Sequence, residues 1–256
     1  MWILFTYSLH ANCQEFLSPV SNSLGGNISV IENDQGLWSN PALIMPTKRG
    51  IELTSSSFIH FTEVQRHSVA VYGSLVRNMH GRALLSSLGF GQYRNNMLAI
   101  ACGQMLNEKS ALGLQLASQT EHFGNASPTV LRVHCGVGFT KHISEKMTLG
   151  GVTHFSAGNT GWKNEKLAIG ALWKLSQPIS FCAQLSYALS ASPSLSLGLQ
   201  YQPNKVLLVR LGWNKYHSAA FGITIQSAKM RIDFAYWINS IAGSMIQLGL
   251  GIPFSK

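Results

Sequence analysis

From about residue 51 onward, apolar side chains alternate with small or polar ones in segments of roughly ten residues, the length of a membrane-crossing strand. Leu195, Leu197, Leu199 and Tyr201 share one parity, with Ser196, Gly198 and Gln200 between them. Ile246, Leu248, Leu250, Ile252 and Phe254 repeat the pattern opposite Met245, Gln247, Gly249 and Gly251. Side chains of a strand point alternately to opposite faces, so each segment reads as a strand with one oily and one polar side. About fourteen such segments without an intervening helix predict an all-β chain: a closed antiparallel transmembrane β-barrel of about 14 strands.

Composition supports a lipid environment. Soluble domains carry roughly 25% charged residues, whereas this chain of 256 residues carries 11%, with 46% hydrophobic residues and 24 glycines. No stretch approaches the roughly 20 apolar residues of a spanning helix, which excludes a helical membrane protein. A soluble sandwich or lipocalin-like barrel would need fewer strands and a polar outer face. The net charge of +9 does not point to nucleic acid, because the basic residues neither cluster nor interleave with aromatics as a stacking surface requires. Lys109, Lys141, Lys146, Lys205 and Lys229 fall instead at expected turns, where outer-membrane lipids and lipopolysaccharide are the natural partners.

Three regions follow. Residues 1–13 read as a truncated signal peptide, with an apolar core from Trp2 to Leu9 and Ala11-Asn12-Cys13 as the cleavage site. Residues 14–50 do not alternate and form the N-terminal plug segment, and residues 51–256 form the barrel. An even strand count leaves both ends on one side; with that side periplasmic, the tight turns such as Asn107-Glu108-Lys109 face inward. The longest connections, near 121–128 and 157–166, then face outward. Outward Trp162, Lys163 and Lys166 are the expected outer-loop contacts.

Glycines concentrate on the lumen parity, among them Gly113, Gly138, Gly170, Gly198, Gly212 and Gly222. Absent side chains there let something approach the wall from within. In the plug segment, Asn33 and Asp34 are expected to cap a short helix over Gln35 to Ser39, with Pro41 opening a second.

Gly25-Gly26, the β-branched stretch Ile28 to Ile31, Asn33-Asp34 and Asn40-Pro41-Ala42-Leu43 together resemble the opening of the FadL-like outer-membrane barrels, especially the PorV and PorQ accessory proteins of type IX secretion in Bacteroidetes-type bacteria. Hairpin runs such as FTKHISEKMTLGG and YQPNKVLLVRLGWN extend the resemblance over most of the chain. The chain is short for that family, and Asn33-Asp34 stands where it usually has Asp-Asp. The resemblance implies a non-enzymatic outer-membrane protein that docks a secretion translocon subunit or a secreted substrate. A second reading from the same kin is a FadL-like channel for small hydrophobic molecules. Both remain open at this point.

Catalytic chemistry is thin. Of the ten acidic residues, only Glu52 and Asp233 sit well inside strands on the lumen parity. A Ser-His-Asp set drawn from His60, His134, His154 and Asp233 rests on parity alone. The nine histidines offer only the pair His60 and His67 across a turn as metal ligands, so no metal and no cofactor is expected. Arg132, Lys174, Arg210 and Arg231 form a basic lumen wall, set to pair with plug carboxylates such as Glu32 and Asp34 or simply to wet the interior. Arg231 and Asp233, two residues apart on one face, are placed to neutralise each other. Cys135 points to lipid and Cys182 to the lumen, which argues against a disulfide between them.

Overall fold

The computed structural model describes residues 18–31, 39–43, 49–59, 62–76, 78–124, 129–158, 161–188, 191–215, 219–239 and 243–254, without the side chains of 158, 161–165 and 191. The signal-peptide reading and the expectations placed on Glu32, Asn33, Asp34 and His60 therefore lie outside the described residues.

Among the described residues, fourteen strands close into one antiparallel barrel, each paired with its sequence neighbours and the first with the last. They are β1 (Gly50–Phe58), β2 (Gln65–Val76), β3 (Met79–Phe90), β4 (Tyr93–Asn107), β5 (Ser110–Phe123), β6 (Val130–Ser144), β7 (Met147–Gly158), β8 (Gly161–Lys174), β9 (Ile179–Ala188), β10 (Ala191–Tyr201), β11 (Leu207–Asn214), β12 (Ala219–Gln226), β13 (Arg231–Asn239) and β14 (Gly243–Pro253). Closure removes every sheet edge, the condition for strands to cross a membrane.

Alternation sets which face each residue takes. Leu53, Leu85, Ile100, Leu114, Ile169, Leu185, Leu211 and Leu248 lie exposed on the outside. Between them, inward residues such as Glu52, Gln115, Gln184, Asp233 and Gln247 are buried. An oily exterior around a polar, filled interior is a soluble fold turned inside out, and lipid is the solvent it matches. Phe139, Trp173, Tyr201 and Phe254 are exposed toward the end where β1 begins and β14 ends, and Tyr187 and Trp213 toward the other. The far end carries the two longest connections, 59–64 and 124–129, and is read as extracellular.

One expectation needs correction. The segment 157–166 is mostly strand rather than loop: Trp162 pairs with Ala157, Lys163 with Ser156 and Lys166 with His154. Trp162, Lys163 and Lys166 thus belong to β8, whose ladder runs on because β7 supplies a partner for each of them. The helix expected over Gln35 to Ser39 lies, apart from Ser39, outside the described residues; the structure describes a helix α1 over Pro19–Ser23, and Pro41 opens a single 3-10 turn, Pro41–Leu43.

Helix α1 is set by its ends. The Ser21 N–H donates to Ser18 Oγ, and Pro19 occupies the first helical position, where its missing N–H costs nothing. At the other end the Gly26 N–H donates to the Ser21 carbonyl and the Gly25 N–H to that of Asn22, a Schellman closure that requires the left-handed backbone Gly25 adopts at φ +70°.

Candidate functional site: a plugged lumen

The plug runs around the inside of the barrel on a track of wall glycines. A methyl group at Gly249 would lie 3.2 Å from Pro19 Cγ, and one at Gly222 2.8 Å from Ser23 Oγ. Gly212 faces Leu24 and Gly25, Gly150 and Gly170 face Ser29, and Gly138 and Gly113 face Asn40, Pro41 and Ala42. Plug backbone and barrel backbone touch where a side chain would hold them apart. The approach expected from the glycine parity is real, and what approaches is the plug itself.

A backbone segment inside a barrel must have its polar groups satisfied by the wall. Gln184 Oε1 accepts the N–H groups of both Ile28 and Ser29, at 2.8 and 2.9 Å, while its Nε2 donates to the Gly26 carbonyl at 3.2 Å. Asn214 Nδ2 donates to the Gly25 carbonyl, and Asn22 Nδ2 to Gln247 Oε1. Asn40 ties plug to plug and plug to wall, its Nδ2 donating to the carbonyls of Ser29 and Phe139, both at 2.8 Å. Its Oδ1 accepts the Ala42 N–H at 3.0 Å, capping the turn that Pro41 opens. Gly25, Gly26, Asn40, Pro41 and Ala42 therefore all sit in the plug at points of contact. Ile28 packs with Ala70, Leu84, Met97 and Val152, and Val20, Leu24, Val30 and Ile31 with Cys182.

The expected lumen arginines pair with wall carboxylates. Arg231 Nη2 lies 2.6 Å from Glu52 Oε2 and its Nε 2.6 Å from Asp233 Oδ2. Arg210 Nη1 lies 3.7 Å from Asp233 Oδ1, which also accepts the Thr224 hydroxyl. Arg132 lies 3.5 Å from Glu121, a buried inward carboxylate that sequence reasoning left in a loop because β5 runs past residue 120. Lys174 is exposed at the periplasmic end of β8. Sequence reasoning also missed Arg82, which reaches the plug by donating to Ser39 Oγ at 2.7 Å and to Gln115 Oε1 at 3.0 Å. Its lumen parity on β3, amid Leu84, Ser86 and Leu88, was the available signal.

The triad drawn from parity does not assemble among the described residues. Asp233 is engaged by arginines and Thr224, and His134 Nε2 bonds Gln119 Oε1 on the neighbouring strand. His67 is exposed on the outer wall. Among the described residues no three metal-ligating side chains gather. Cys182 is buried inward and Cys135 half-buried outward, the faces their parity implied.

At the extracellular mouth the lumen changes character. Phe58, Leu88, Ala220, Trp237 and Met245, all inward-facing, gather with Val64 into an apolar cluster on which Phe90 and Tyr93 pack. Tyr93 stacks between Phe90 and Phe123, at centroid distances of 5.1 and 4.8 Å. One side of the mouth, from β12 round to β4, is therefore greasy, while Gln119, Glu121, Arg132 and His134 on β5 and β6 keep the adjoining side polar. The outward aromatics drew attention in the sequence; these inward ones carried the same parity signal on the opposite face.

Fold and surface define a transmembrane β-barrel of the bacterial outer membrane. Its fold is similar to that of the CymD monoaromatic hydrocarbon channel, with TM-score 0.68 and 13% identity over 94% of this chain and 98% of that one. The toluene transporter TodX of P. putida is similar, with TM-score 0.62 and 13% identity over 93% and 99% of the two chains. No family model and no curated protein sequence matches the chain.

Proposed function

We propose that this barrel is a FadL-like channel that admits small hydrophobic molecules through the outer membrane. The observation that carries this reading is the apolar, aromatic-rich cluster inside the extracellular mouth. A lumen that only had to be wet has no use for buried Phe58, Trp237 and Met245 at its entrance, whereas a hydrophobic solute gains about 25 cal/mol for each Å² of apolar surface it buries there. The fold shared with two hydrocarbon channels supports it. Beneath the entrance the plug closes the lumen, and its hydrogen bonds to Gln184, Asn214, Arg82 and the Phe139 carbonyl form a closure that local rearrangement can open.

The accessory reading, in which outer loops dock a secretion partner, rested on the plug motif and on an outer loop at 157–166. The plug motif serves both readings equally, and the 157–166 segment is paired strand. Uptake of a monoaromatic hydrocarbon such as toluene, measured in a host deficient in its own hydrocarbon channel, tests the proposal. Expression of this chain should raise the initial rate several-fold. A rate equal to the empty-vector control overturns it.

A further inference from the structure

A groove of about 680 Å³ indents the outer wall over the periplasmic half of β2–β5. Its floor follows from register: Gly73 pairs with Gly81 and Gly81 with Cys102, so three adjacent strands present two glycines and a cysteine in one outward row. The next row adds Ala83. Leu75 folds over Gly81, its Cδ1 2.8 Å from where a Cβ there would stand, and Leu114 and Phe254 also line the groove. At the mouth is a cation. Arg49, exposed just before β1, lays its stem over Gly73, with Cγ 2.8 Å from where a Cβ there would stand, and the residue lines the groove.

An apolar trough of this size at the periplasmic headgroup level, ending in an arginine, matches one ligand chemistry. Acyl chains fill the trough and a phosphate meets the guanidinium, which offers paired N–H donors to phosphate oxygens. Exposed Lys109, on the turn between two of the groove's strands, adds to the same positive field. We infer that this face holds one phospholipid of the periplasmic leaflet, with its acyl chains over Ala83 and Cys102 and its phosphate on Arg49. The site is separate from the lumen, and its failure would leave the channel reading untouched.

Native mass spectrometry on the full chain, refolded with dioleoylphosphatidylglycerol and stripped with increasing detergent, tests it. Wild type should retain one phospholipid per barrel. A83L and C102F, which fill the trough, should retain it about tenfold less, and R49A several-fold less. Heat-modifiable migration on gels confirms that each variant is folded, and a photoreactive side chain placed at Ala83 should crosslink to phospholipid. Equal retention by wild type and the filled variants overturns the inference, as do dimers with no retained lipid or capture of a hydrocarbon probe instead of phospholipid.

Discussion

Arg231 on β13 reaches Glu52 on β1 at 2.6 Å, passing over β14 where the intervening residue of the same cross-strand row is Gly251. The ion pair spans the seam where the last strand meets the first. Asp233 takes the other edge of the guanidinium, so one arginine holds two buried carboxylates.

Removing that arginine takes from Glu52 and Asp233 the cation they share. Breaking a buried pair on one side costs about 3 kcal/mol, so R231M should unfold at clearly lower urea than wild type in detergent micelles or vesicles. E52Q should cost less, because Asp233 still pairs with both arginines, and the double variant should recover part of the R231M loss. Equal midpoints for R231M and wild type would refute a stabilising role for the seam pair.

Wall glycines facing the plug should be sensitive for a different reason. In G150V and G212V the new side chain occupies the space of Ser29 or of Leu24 and Gly25, while the barrel outside that contact is unchanged. The plug should be displaced and the barrel kept. Both variants should retain heat-modifiable migration yet raise the permeability of cells to large antibiotics and the conductance of planar bilayers. Loss of the folded band, with no gain in permeability, would show that these glycines serve barrel assembly instead.

The barrel was legible because every strand has two solvents, one on each face, and parity records which side chain meets which. The same parity placed Glu52, Arg231, Arg210 and Asp233 in the lumen and left Cys135 facing lipid. The plug was not legible in that way. Its path is set by contacts such as Gln184 to Ile28, more than 150 residues apart, which no local pattern encodes. Ser18-Pro19 did carry an N-cap and first-turn signal for α1, one hidden beside the more conspicuous Asn-Pro at 40 and 41. Strand ends were the other blind spot. Polar residues such as Glu121 read as loop until the ladder of the neighbouring strand shows them paired.

Gln184 offers a direct measure of how tightly the plug is held. Q184L keeps the volume and removes the acceptor shared by the Ile28 and Ser29 N–H groups, leaving two buried donors unpaired at about 1 to 3 kcal/mol each. A local loss of about 2 kcal/mol corresponds to roughly 30-fold faster opening. Hydrogen exchange followed by mass spectrometry should show that acceleration in peptides covering residues 24–31 and little change in β8 or β9. Uniform acceleration over the whole barrel would mean that Gln184 stabilises the wall rather than the plug.

Two tryptophans on opposite faces separate a role in the lumen from a role in the membrane. Trp237 is 8% exposed and faces the extracellular mouth, whereas Trp213 is 44% exposed and faces lipid. Truncation of either removes a similar apolar area, so general effects on folding and insertion should be alike. Only Trp237 touches the greasy half of the entrance, with Phe58 and Met245 in the same cluster. W237A should cut the initial rate of toluene uptake several-fold while W213A stays near wild type, both at matched amounts of folded protein in the outer membrane. Should the two variants lose uptake equally, the apolar mouth would not be the step that selects the solute, and the aromatic cluster would be packing that closes the barrel's outer end.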